Sequence, residues 1–124
     1  MLTSVLKIGF VVAALTVSAT AASAQTSPPG ETLFRQRCGS CHTVQGTQNR
    51  MGPALQGVVG RKAGTAPGYN YSPALREWGR TWTVANLELY LAAPRTAVPG
   101  TKMSIVAPSP AQRAEIIRYL QTQR

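Results

Sequence analysis

Cys38-Gly39-Ser40-Cys41-His42 is the stretch whose reading decides the fold. Two thiols three positions apart, followed at once by an imidazole, match the spacing for fixing a haem through two thioethers with an axial nitrogen ligand. Side chains at i and i+3 of a helical turn point to roughly one side. Cys38 and Cys41 therefore reach the two vinyl positions on one haem edge while His42 swings under the iron. The competing readings of the cysteines are a structural disulfide, a redox pair and half of a zinc site. Zinc needs further Cys or His ligands, and the chain holds 2 Cys and 1 His in all. A redox C-x-x-C stays open in an oxidising compartment, but it belongs at the head of a helix in a βαβ unit, and no such pattern surrounds this one.

A single histidine leaves the other side of the iron to another residue or to solvent. The candidates are Met51 and Met103, with Lys62 and Lys102 as weaker ligands. Met51 lies nine positions after His42, too close for a loop to round the haem edge easily. Met103 lies 61 positions on, in the loop Pro99-Gly100-Thr101-Lys102-Met103, which can present a side chain without a helix to orient it. Met103 is the favoured sixth ligand.

Towards the N-terminus, Lys7, the apolar run from Ile8 to Val17 and the small residues Ala22-Ser23-Ala24 read as a cleavable signal peptide over residues 1–24. The apolar run is short for a retained membrane anchor. Residues 25–124, 100 of the 124, then form one small domain. A core of that size gains much from a large apolar cofactor bonded to the chain. Export to the periplasm also suits cysteines that end up alkylated. Loss of Lys7 leaves 12 of the 13 Lys and Arg against 4 Asp and Glu, and takes the net charge from +9 to +8. No basic run reaches five residues, so the charge is a surface property. Acidic protein partners fit it; nucleic acid does not, since an exported chain with no recognition motif has no use for one.

The coarse pattern is all-α. A first helix is expected from Pro28 to Cys41, with Gly30 and Phe34 on one face. A long Gly- and Pro-rich loop follows from Thr43 to Asn70. Ser72-Pro73 opens a short helix to about Trp78. Thr83 caps the next, which buries Leu87, Tyr90 and Leu91 and stops at Pro94. A second loop runs from Pro94 to Pro108, and Ser109-Pro110-Ala111-Gln112 starts a last helix with Ile116, Ile117 and Leu120 inward. No strands are needed.

These blocks together resemble a class I cytochrome c of the small soluble bacterial type, close to the mitochondrial members. The matching stretches are Phe34 to Val44, Gly52-Pro53, Gly60-Arg61-Lys62, Ala66 to Ser72, Trp82, Tyr90-Leu91, Pro94, Pro99 to Met103 and Tyr119-Leu120. The resemblance implies a fold of four to five short helices, the first and last crossing, with long loops around one covalently bound haem c. By similarity, Cys38 and Cys41 carry the thioethers, His42 and Met103 ligate iron, and the Pro53 carbonyl accepts the other ring N–H of His42. Arg61, Tyr71 and Trp82 would hold the haem propionates. Tyr90 and Thr101 would line the methionine side, and Gly30 and Phe34 would meet Tyr119. The chain departs near Leu75, where mitochondrial members carry a buried polar residue in the haem pocket.

With both axial positions filled by protein, substrates are kept from the iron, so the expectation is a monomeric single-electron carrier and not an enzyme. A thioether ligand and an apolar enclosure favour ferrous iron and a relatively high potential. Acidic redox proteins, whether membrane-bound or soluble oxidases, reductases or dehydrogenases, are the expected partners, met through a surface that includes Lys62, Arg95 and Lys102. The alternatives are a haem enzyme or gas sensor with an open or displaceable sixth ligand, and a dedicated cytochrome subunit of a dehydrogenase.

Overall fold

Pro29 suits the first turn of a helix, where a missing N–H costs nothing, and Glu31 near that end with Arg35 and Arg37 at the other complement the helix dipole. The result is α1, Pro29–Arg37, in a computed structural model that describes residues 29–124. The leader at 1–24 and Pro28 lie outside the described residues. α1 stops before the expected Cys41. The N–H groups of Cys38 and Gly39 both bond to the Phe34 carbonyl, at 2.8 and 2.9 Å, which closes the last turn. Cys41 and His42 then both donate to the Cys38 carbonyl, at 3.0 and 2.9 Å. The two cysteines thus bracket a tight turn just past the helix.

Four further helices follow among the described residues: α2 Pro73–Glu77, α3 Val84–Ala92, α4 Pro94–Ala97 and α5 Pro110–Thr122. Ser72, Thr83 and Ser109 cap α2, α3 and α5, each side chain accepting from the backbone N–H three residues on. The reciprocal half of the expected capping box does not form, for Gln112 Oε1 is buried with no partner among the described residues. α4 occupies the start of what the sequence suggested was loop. Pro94 ends α3 but equally well opens a new helix, and the Val98 N–H closes it on the Pro94 carbonyl at 2.8 Å.

α1 packs across α5, and α3 packs on α5 and α4. A Cβ on Gly30 would stand 2.8 Å from Tyr119 Cβ and overlap the Glu115 carbonyl, so the two terminal helices approach backbone to backbone. The Phe34 and Tyr119 rings meet there with centroids 5.6 Å apart. Helical residues Phe34, Leu87, Leu91, Ile116, Ile117 and Leu120 share one core with the loop residues Val58, Tyr71 and Trp82. No strand forms among the described residues; the one β feature is an isolated antiparallel bridge between Lys62 and Thr81. Around it Trp82 donates to the Arg61 carbonyl at 2.8 Å and Gly60 to the Trp82 carbonyl at 2.9 Å, which sets Arg61 and Trp82 side by side.

Candidate haem site

Loop 43–70 folds back along the cysteine turn. Gly52 donates to the Cys41 carbonyl and Leu55 to the Thr43 carbonyl, both at 2.8 Å, and this carries Pro53 up to the histidine. His42 Nδ1 and the Pro53 oxygen lie 2.8 Å apart. A carbonyl only accepts, so the proton sits on Nδ1 and the Nε2 lone pair is left for a metal. Burial lowers the His42 pKa, with the Pro53 bond opposing, so the ring is held in the neutral form a ligand needs. Gly52 is part of the same arrangement. A Cβ there would collide with the imidazole, within 2.6 Å of Nδ1.

The ten residues singled out from the sequence, Cys38, Cys41, His42, Pro53, Arg61, Tyr71, Trp82, Tyr90, Thr101 and Met103, all line one cavity of about 500 Å³. Neither cysteine is in a disulfide. Burial pushes the Cys38 thiol up to about 11, partly opposed by Arg37, so it stays protonated at neutral pH. Met51, the rejected axial candidate, is 78 % exposed, and its sulfur stands 3.7 Å from Cys41 Sγ, beside the attachment turn. Tyr90 on α3 and Thr101 on the Met103 loop share a buried hydrogen bond of 2.6 Å, and burial raises the Tyr90 pKa. Tyr71 accepts from the Ala66 N–H at 3.1 Å. Leu75 is buried and lines the cavity, so that wall is apolar.

Arg61 carries the clearest sign of a missing partner. Its guanidinium donates to the Ala54 carbonyl at 2.9 Å and the Gln56 carbonyl at 3.2 Å, yet Nε is buried with no acceptor among the described residues. An anionic group at that end of the cavity would satisfy it. A mostly apolar chamber, two free thiols at one rim, a neutral imidazole and a buried cation together fit a flat apolar ring with carboxylate tails. Of the three surface cations expected from the sequence, only Lys102 lines the cavity; Lys62 and Arg95 are exposed elsewhere. Arg37, exposed and adjacent to Cys38, lines it too and was overlooked, although its place next to the first cysteine was a usable signal.

Helices around an apolar cavity with two thiols and a histidine at its rim define a mono-haem c-type cytochrome. Comparisons with known proteins agree. The cytochrome c family profile matches residues 27–124. Cytochrome c2 of Rhodomicrobium vannielii is 46 % identical over 120 residues, covering 95 % of each chain. Cytochrome c2 of Rhodopila globiformis is 46 % identical over 103 residues, covering 78 % of this chain and 97 % of its own. The structure of cytochrome cH from Methylobacterium extorquens superposes with a TM-score of 0.71 at 45 % identity, over 76 % of this chain and 95 % of that one. The chain belongs to the cytochrome c family and carries one covalently bound haem c.

Proposed function

We propose that the protein is an exported, periplasmic shuttle that passes single electrons between redox proteins through a haem ligated by His42 and Met103. The observation that carries the reading is the His42 Nδ1–Pro53 bond, which fixes the tautomer on a cavity that Met103 also lines. Cys38 and Cys41 would anchor the group, Arg61 would face its carboxylates, and the bound iron supplies a one-electron couple. The chain's own part is to orient, enclose and exclude. Pro53 holds the imidazole, the Tyr90–Thr101 bond steadies the loop just before Met103, and Leu75, Leu87 and Leu91 keep the chamber dry. A thioether donor in a dry chamber favours the less charged ferrous state, hence a relatively high potential. Arg37 and Lys102 at the cavity, with cations elsewhere on the surface, would draw an acidic partner to it.

The test is to produce the full chain with export and haem-attachment machinery and titrate its optical spectrum. A methionine-to-iron charge-transfer band in the wild type is expected to vanish in Met103→Ala. The potential should fall by a sizeable part of the roughly 0.8 V that axial ligands span. A colourless wild-type product, or a band that survives the substitution, overturns the reading.

A further inference from the structure

The loop that bears Met103 is fastened at both ends, and the two fastenings differ in kind. Before Met103, Thr101 bonds to Val98 through the backbone at 3.0 Å and to Tyr90 through its hydroxyl, and Lys102 Nζ donates to the Asn70 carbonyl. After Met103, Ile105 and Val106 are exposed, and the next backbone anchor among the described residues is Ala107. Its N–H bonds to the Leu91 carbonyl at 2.9 Å. Its carbonyl, and that of Pro108, accept from one nitrogen, Arg113 Nη1, at 2.7 and 2.8 Å. Arg113 Nε in turn donates to Glu88 Oε1 on α3 at 2.6 Å.

Arg113 is only 8 % exposed, so its charge is out of water and depends on those three acceptors. One side chain of α5 thereby ties the distal end of the Met103 loop to α3, the helix that also supplies Tyr90. A guanidinium suits this task because its planar fork can serve two neighbouring carbonyls and a carboxylate together, which an ammonium on a flexible stem cannot do in the same geometry. None of these contacts reaches the cavity's ligands, so Arg113 acts through the loop.

We infer that Arg113, held by Glu88, is a positioning latch that sets how readily the Met103 loop opens and Met103 yields its place to another ligand. The inference rests on the His42/Met103 reading above. When the latch is weakened, the segment from Met103 to Pro108 loses its charged fastening and keeps, among the described residues, only the Ala107–Leu91 backbone bond, so the open state gains population while the helices stay packed.

The test uses the holoprotein in four forms: wild type, Arg113→Lys, Glu88→Gln and Ile117→Val, the last a core change that does not line the cavity. Exogenous imidazole is titrated into each while the charge-transfer band is followed, and amide exchange at Ala107 and global unfolding are measured alongside. Losing charged hydrogen bonds should tighten apparent imidazole binding about tenfold in Arg113→Lys and speed Ala107 exchange to match. Glu88→Gln, on a half-exposed side chain, should give a smaller change of the same sign. Ile117→Val should lower global stability and leave imidazole binding within about twofold of wild type. If Arg113→Lys fails to fold, Glu88→Gln decides alone. A wild type with the band but unchanged imidazole affinity in the latch variants overturns the latch and leaves the ligation reading standing. A gain merely proportional to lost global stability, matched by Ile117→Val, also overturns it. A wild type without the band overturns the ligation reading and the latch with it.

Discussion

Gly52 shows how much can rest on a missing Cβ. Its backbone is not in the left-handed region, so no conformational rule requires glycine; the requirement is contact alone, with the His42 ring against the site of the absent side chain. A methyl there must push the imidazole, and the imidazole is tethered through Nδ1 to the carbonyl of the very next residue, Pro53. Gly52→Ala should therefore strain or break that bond, costing about 1–3 kcal/mol of holoprotein stability from overpacking. It should also alter the haem spectrum, because under the proposed ligation the ring that moves would hold the iron. Denaturant unfolding together with the optical spectrum checks this, and an unchanged spectrum with unchanged stability would show the ring free to give way. The dipeptide Gly52-Pro53 was legible in the sequence as a matched block, and Pro53 had an expected partner. The reason for its glycine was not, since only folding brings residue 52 against residue 42.

Among the helices, what the sequence revealed followed local chemistry and what it hid followed tertiary contact. Ser72, Thr83 and Ser109 announced three helix starts, because a cap is made within four residues. The early end of α1 was hidden because the Phe34 carbonyl takes two N–H groups in a turn no propensity describes. α4 was hidden because a proline reads equally as a stop and as a start. The ten residues singled out from motif and resemblance share one cavity lining, whereas Arg113 was not singled out, its three acceptors being scattered over two other segments. Gly30 tests how α1 and α5 meet. Inside a helix, replacing glycine by alanine normally stabilises by up to about 1 kcal/mol. Here the new Cβ would stand 2.8 Å from Tyr119 Cβ and against the Glu115 backbone, so the sign should reverse, with Gly30→Ala losing about 1–3 kcal/mol. The midpoint of denaturant unfolding reads that sign directly, and a stabilised variant would refute the close approach.

Over the whole molecule, the surplus of positive charge is kept available by the way the acids are spent. Of the 4 acidic residues, Glu31, Glu88 and Glu115 are engaged within the chain by Arg35, Arg113 and Arg118. Arg37 and Lys102 stand at the cavity, beside the exposed apolar Met51, Ile105 and Val106 that also line it. An apolar patch rimmed by cations suits a brief encounter: charge brings an acidic partner to the right face, and a small apolar contact holds it without locking it there. Among the described residues no helix is long and apolar enough to cross a membrane. Steering of this kind acts over the screening length, about 30 Å at 0.01 M salt and about 10 Å at 0.1 M. The bimolecular rate of electron transfer with an acidic redox protein should therefore fall about tenfold or more across that range, while the rate with a small uncharged oxidant stays nearly constant. Stopped-flow mixing of the reduced holoprotein with such a partner at a series of salt concentrations measures the slope. Arg37→Gln and Lys102→Gln should each flatten it, because each removes one of the cations at the cavity, and a slope that neither variant changes would place the encounter on another face.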